Sequence, residues 1–341
     1  MLKASPAAGS LFLTAYSGQS PSIEFLKFLD KNCLAGIVLF ADNCQNHATL
    51  KDSILCIQEH SDNQALIAID QEGGRVCRLR GSPVEYRSAA EYAALAEGGP
   101  EALQRALKVY EKDFAAAAQY LADLGVNFLL GPVCDLKLWN RETALEGRTF
   151  GSDPDVASEF VKTTVRICAE HGLACCLKHA PGLGRVSTDP HEKLGASAMS
   201  LEQFENVDSL PFKAGVAAGA DSLMSSHFLA PKFDDMPVTC SNKIIKELIR
   251  NTLSDSLALL SDDLNMGALS QFGSFDKIVA QCVGAGHDLL LTRDLQTAKL
   301  GLAALDRALE SGDVSRQRLS EAQSRINRLK RKTSAPTFRK P

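Results

Sequence analysis

The stretch LQRALKVYEKDFAAAAQYLADLGVNFLLGPVCD, Leu103 to Asp135, holds one complete helix-to-strand unit. Leu103, Leu107, Tyr110, Phe114, Ala117, Leu121 and Leu124 recur in steps of four and three, which lays one apolar stripe along one helix face. Gly125 follows, where a left-handed helix C-cap is expected. Val126–Leu130 is then apolar and does not alternate, the pattern of a strand buried on both faces. Gly131-Pro132-Val133-Cys134-Asp135 closes the unit with a turn that carries a carboxylate.

The unit repeats along the chain. Short apolar runs occur at Leu11–Leu13, Gly36–Phe40, Leu66–Ile69, Val126–Leu130, Cys175–Leu177, Asp221–Met224, Leu257–Leu260 and Asp288–Leu291. Helical patterns fill the gaps, at Ile23–Asp30, Ala48–Glu59, Asp155–His171, Leu201–Ala218 and Lys243–Leu253. Glycine returns at the helix-to-strand junctions, at Gly172, Gly219 and Gly284 to Gly286. Eight such alternations predict an α/β fold, a single (β/α)₈ TIM-type barrel over residues 1–331. A last helix, Val314 to Arg331, packs outside it, and 332–341 is a basic tail. The rival doubly wound sheet begins with a Gly-rich phosphate turn, and nothing after Leu13 resembles GxGxxG or a P-loop.

Composition narrows the function. The chain has 341 residues, 45% of them hydrophobic, enough for a large core. A net charge of −4 argues against a nucleic-acid-binding surface. No run reaches the ~18 apolar residues of a membrane span. The opening MLKASPAAGSLFLTAYSG, with one lysine and a very short apolar core, is a poor secretory signal, so a cytoplasmic location is expected. Ten scattered cysteines, including Cys56, Cys168, Cys175, Cys176 and Cys282 inside apolar runs, read as buried free thiols.

A barrel carries its chemistry just past the C-terminal ends of its strands. Asp70-Gln71-Glu72-Gly73-Gly74-Arg75 follows the third run, Lys178-His179 the fifth, Ser225-Ser226-His227 the sixth and Ser261-Asp262-Asp263 the seventh. Asp70 should enter the barrel mouth with Arg75 and Arg78 behind it, either as an internal ion pair or as an acceptor for ligand hydroxyls. Of Asp262 and Asp263, neighbours that point apart, one should face the site and Asp263 suits a cap. Asp189 and His191 are spaced so that the carboxylate can fix the ring's tautomer, an acid/base dyad. Lys178 could bind hydroxyls or anions, or act as an amine nucleophile. A metal would have to recruit Glu72, Asp135 and His227; no metal and no cofactor is expected.

Four segments come in one order: Asp70-Gln71-Glu72-Gly73-Gly74-Arg75-Val76, Lys178-His179-x-Pro181-Gly182-x-Gly184, Asp189-x-His191 and Ser261-Asp262-Asp263-Leu264-x-Met266. Together they resemble glycoside hydrolase family 3, and within it the bacterial NagZ-type β-N-acetylglucosaminidases (β-hexosaminidases). The resemblance implies a retaining double displacement with Asp262 as nucleophile and His191, oriented by Asp189, as acid/base. It implies sugar-binding positions at Asp70, Arg78, Arg148, Lys178 and His179. The implied substrate is a muropeptide fragment, N-acetylglucosamine joined to anhydro-N-acetylmuramic acid with or without peptide, handled by a monomer without nucleic-acid or membrane partners. Ala180 and Leu183 stand where the family has an aromatic residue and a second histidine, and Pro190 where it has a small polar one. Two alternatives stay open: a family 3 phosphorylase, and a sugar-binding barrel with impaired catalysis.

Overall fold

The computed structural model describes residues 6–62, 64–138, 144–186, 194–265 and 267–333. Eight parallel strands close a barrel: β1 Phe12–Thr14, β2 Gly36–Leu39, β3 Leu66–Ile69, β4 Phe128–Leu129, β5 Ala174–Ala180, β6 Ser222–Ser225, β7 Ala258–Asp263 and β8 Leu289–Leu291. Each strand pairs with the next in the chain, and β1 pairs with β8, with Phe12 opposite Leu290. The expected (β/α)₈ barrel is therefore the observed one.

Among the described residues, the longer α-helices that surround it or close its ends are α1 Ile23–Asn32, α2 His47–Glu59, α3 Ala89–Leu95, α4 Pro100–Leu124, α5 Pro154–Glu170, α6 Leu210–Ala217, α7 Phe275–Ala285, α8 Leu295–Ser311 and α9 Arg316–Thr333. Their starts are written locally. Ser22 Oγ accepts from the N–H of Phe25, and Ser88 with Glu91 forms a reciprocal capping box. The apolar stripe of α4 is buried through Tyr110, Phe114, Ala117, Leu121 and Leu124. Tyr110 stacks on Phe114 at 5.5 Å and meets Phe160 of α5 edge-on at 5.4 Å, so the two helices share an aromatic core.

Several elements differ from their sequence patterns, among them the expected helix Lys243–Leu253, which is a short turn Asn242–Ile244 and a π-helical segment Ile245–Arg250. The expected helix Leu201–Ala218 is broken into a short turn, a π-helical segment Phe204–Asp208 and α6. Pro211 lacks the N–H that a continuous helix would need and sits instead in the first turn of α6. Strand β4 is shorter than Val126–Leu130 because the Asn127 side chain does the pairing: it accepts from Ile67 N–H at 2.7 Å and donates to Ala65 O at 3.0 Å. Strands β5 and β7 are longer than their apolar runs and carry Lys178, His179, Asp262 and Asp263 within them. Eight of the ten cysteines, all of them free, are buried; Cys56 is half-buried and Cys33 exposed.

Candidate active site

The C-terminal mouth of the barrel opens into a cavity of about 430 Å³. Val38, Leu130, Met224 and Leu291 form its apolar floor, and Asp70, Glu72, Arg75, Arg78, Arg148, Lys178, His179, Asp262, Asp263 and Arg293 line its walls. Asp70 follows β3 directly. The chain then folds back as an antiparallel hairpin, Gln71–Gly73 against Val76–Cys77. The side-chain oxygen of Gln71 accepts from the N–H groups of Arg78 and Leu79 at 2.9 and 3.2 Å, which returns Arg78 to Asp70. Gly73 permits the turn: its φ is +82°, and a Cβ there would lie 2.2 Å from Arg87 O.

Two carboxylates and three cations interlock. Asp70 pairs with Arg78 at 3.1 Å and with Lys178 at 2.7 Å. Glu72 takes Lys178 at 2.6 Å and both ends of the Arg148 guanidinium fork, at 2.7 and 2.9 Å. Burial by itself would raise both carboxyl pKa values. Lys178 and Arg78 nevertheless hold Asp70 below the ordinary range, and Arg148 and Lys178 hold Glu72 far below it. Burial likewise works against the Lys178 ammonium, yet Asp70 and Glu72 leave its pKa raised. Ion pairs with Asp70 and Glu72 at once favour the ammonium form of Lys178, which argues against the covalent-lysine reading.

His179 is oriented from behind. Asp135 accepts from its backbone N–H at 3.1 Å and contacts Nδ1 at 2.7 Å, and its other oxygen accepts from Leu183 N–H at 2.6 Å. A carboxylate accepts, so Nδ1 carries the proton and Nε2 is the ring's other face. Gly184 passes so close to Leu136 that a Cβ would sit 2.0 Å from its carbonyl oxygen. Ala180 and Leu183, two of the departures from the family pattern, are buried in the apolar core.

Asp262 and Asp263 both line the cavity, contrary to the expectation that only one would. The β7–β8 register shifts between Leu260 and Asp263, and such an irregularity re-aims side chains at a strand end. Asp262 Oδ1 accepts from the N–H of Asp263 at 2.8 Å. Asp263 Oδ1 accepts from Asn265 N–H at 3.0 Å, so its capping role takes the form of a short turn. Burial, with Asp262 adding to it, pushes the Asp263 carboxyl up to about 6. Arg293, 3.7 Å from Asp263, lies with Arg78 against the Phe40 ring, at 5.1 and 5.8 Å from its centre.

The sequence profile described as the glycosyl hydrolase family 3 N terminal domain matches residues 13–329. This chain belongs to glycosyl hydrolase family 3. A β-hexosaminidase of Stenotrophomonas maltophilia (strain K279a) is 31% identical over 281 residues, 82% of each chain. A β-hexosaminidase of Xylella fastidiosa (strain M23) is 32% identical over 282 residues, again 82% of each. The solved family 3 β-N-acetylglucosaminidase from Paenibacillus sp. str. FPU-7 superposes with a TM-score of 0.87 at 28% identity, over 99% of this chain. This chain spans 64% of that protein's length.

As a family 3 glycosidase the chain places Asp70, Arg78, Arg148, Lys178, His179 and Asp262 around one cavity. Asp189 and His191 lie outside the described residues. The groups that a metal would have recruited are otherwise engaged: Glu72 with Arg148, Asp135 with His179, and His227 with Thr239. Glu72, Phe40 and Arg293 are additions to the candidate set. Arg293 follows β8, where the strand-end rule, applied to the eighth run, would have found it. Glu72 was in the quoted motif, but nothing local tied it to Arg148.

Proposed function

We propose that this chain is a retaining β-N-acetylglucosaminidase. It removes terminal β-linked N-acetylglucosamine from peptidoglycan fragments, N-acetylglucosamine joined to anhydro-N-acetylmuramic acid with or without peptide, during cell-wall recycling in the cytoplasm. The observation that carries the reading is the shared cavity of Asp262, Asp70, Arg78, Arg148, Lys178 and His179, contributed by separate strand ends. Ionised carboxylates accept sugar hydroxyls, and the fixed cations donate to them. Asp262 attacks the anomeric carbon as the bond to the leaving oxygen breaks, and His191 supplies that oxygen's proton. His191, oriented by Asp189, then takes a proton from water, which displaces Asp262.

Asp262→Asn tests the reading directly. Hydrolysis of p-nitrophenyl N-acetyl-β-glucosaminide should fall by at least about 10³-fold, with the thermal unfolding midpoint unchanged. Near-normal turnover by the folded variant would overturn the assignment. Product analysis in phosphate buffer separates the alternative chemistry: free N-acetylglucosamine marks hydrolysis, its 1-phosphate marks phosphorolysis.

A further inference from the structure

His227 is fully buried beyond the end of β6, one strand away from Asp262. Ser225 and Ser261 are register partners, so His227 and Asp263 each lie two residues past a paired position. His227 Nε2 stands 3.0 Å from the carbonyl oxygen of Asp263. A carbonyl only accepts, so Nε2 carries the proton. Nδ1 stands 2.6 Å from the Thr239 hydroxyl, also fully buried. That hydroxyl is 3.1 Å from Ser226 O, and its single proton serves the shorter contact when the ring is neutral.

The β7–β8 register slips between Leu260 and Asp263, and the ladder resumes with Asp263 opposite Leu291, where Leu264 N–H donates to Leu291 O at 3.0 Å. Side chains add to this hold. Ser261 Oγ accepts from Leu291 N–H at 3.2 Å, and His227 holds Asp263 from the opposite side. Asp263 in turn presents its N–H to Asp262 Oδ1 at 2.8 Å. We propose that His227, braced by Thr239, is a positioning residue: it fixes residue 263 so that the backbone N–H at this position orients the Asp262 carboxylate. His227 touches no reacting atom in this scheme. It rests on the reading of Asp262 as nucleophile.

The test compares His227→Leu, His227→Gln and Thr239→Val with wild type, using p-nitrophenyl N-acetyl-β-glucosaminide. Glutamine places an amide N–H where Nε2–H stands; leucine offers none. In His227→Leu, kcat should fall roughly 30-fold or more while KM and the inhibition constant of N-acetylglucosamine stay within about twofold. His227→Gln should recover about tenfold of that loss, and Thr239→Val should lower kcat about threefold to tenfold. If the leucine variant does not fold, the glutamine variant at near-wild-type kcat together with a Thr239→Val loss confined to kcat supports the proposal. Equal losses in the glutamine and leucine variants, or losses in KM alone, overturn it. An activated 5-fluoro N-acetylglucosaminyl fluoride separates the two readings in wild type. Labelling of a peptide that lacks Asp262 sinks the nucleophile assignment; labelling at Asp262 with unchanged kcat in all three variants sinks the role of His227 alone.

Discussion

Glu72 sits 106 positions before Lys178 and 76 before Arg148, and its carboxylate is what keeps those two cations together. With Glu72 removed, two like charges remain in a site closed to most solvent. Glu72→Gln should therefore cost about 3–5 kcal/mol of stability, the scale for breaking a buried ion pair from one side. Chemical denaturation measures that loss, and a raised KM should accompany it as Arg148 and Lys178 lose their orientation. His191→Ala makes a different prediction at the same scale. If His191 protonates the leaving oxygen, substrates with poor leaving groups should slow by about 10²–10⁴-fold while activated aryl glycosides slow far less. Equal loss on both classes would contradict the acid role. The residue types were legible in the sequence in both cases. The pairing of Glu72 with Arg148 was not, because no local periodicity relates two loops that follow different strands.

At the scale of the element, the polar ends of β5 and β7 matter most. Hydrophobic patterning stops at the first charged residue, so the runs at Cys175–Leu177 and Leu257–Leu260 understated both strands. The loop after β5 is anchored at its start by Asp135 on Leu183 N–H and by Arg185 on Asp208 at 3.0 Å. Between β6 and β8, His287 is the buried connector. Cys282 O, 3.1 Å from Nδ1, can only accept, so Nε2 accepts from the Ser225 hydroxyl at 2.7 Å. Burial pushes the His287 pKa down to about 3. The unfolded ring binds a proton below about pH 6.5, whereas the folded ring stays neutral. The unfolded state thus holds more protons across this window, and stability should fall as pH drops from about 6.5 towards 3, by up to roughly 1.4 kcal/mol per unit. Denaturation curves at pH 7, 6 and 5 read this slope, and His287→Gln should flatten it.

At the scale of the molecule, the barrel is closed from below by its last helix. Asp288, fully buried just before β8, accepts from Arg250 at 2.7 Å and from Leu259 N–H at 2.9 Å. It also takes Arg318 and Arg325 of α9. Lys332, near the end of the same helix, pairs with Asp221 at 2.5 Å at the start of β6. Buried charge therefore joins the N-terminal end of β8 to helix α9, and an exposed lysine ties the same helix to the start of β6. Asp288→Ala leaves Arg250 uncompensated and should destabilise the fold by about 3–5 kcal/mol, read as a lowered denaturation midpoint. Turnover at 25 °C should change little, because this end is opposite the catalytic mouth.

The sequence by itself determined the eight βα units, their order, the closure into one barrel and the strand ends on which the chemistry is carried. Those are local properties: helical period, apolar runs, a glycine after a helix and a charged group after a strand. Four motifs in one order were enough to point to the family. Only the tertiary structure decided that Glu72 joins the site, that Asp262 and Asp263 both face the cavity and that Asp135 serves His179. It also decided that Arg318 and Arg325 of the last helix bind back on Asp288. The reason is common to all four. These contacts join residues brought together by barrel closure or by a slip in strand register, and neither leaves a repeat along the chain.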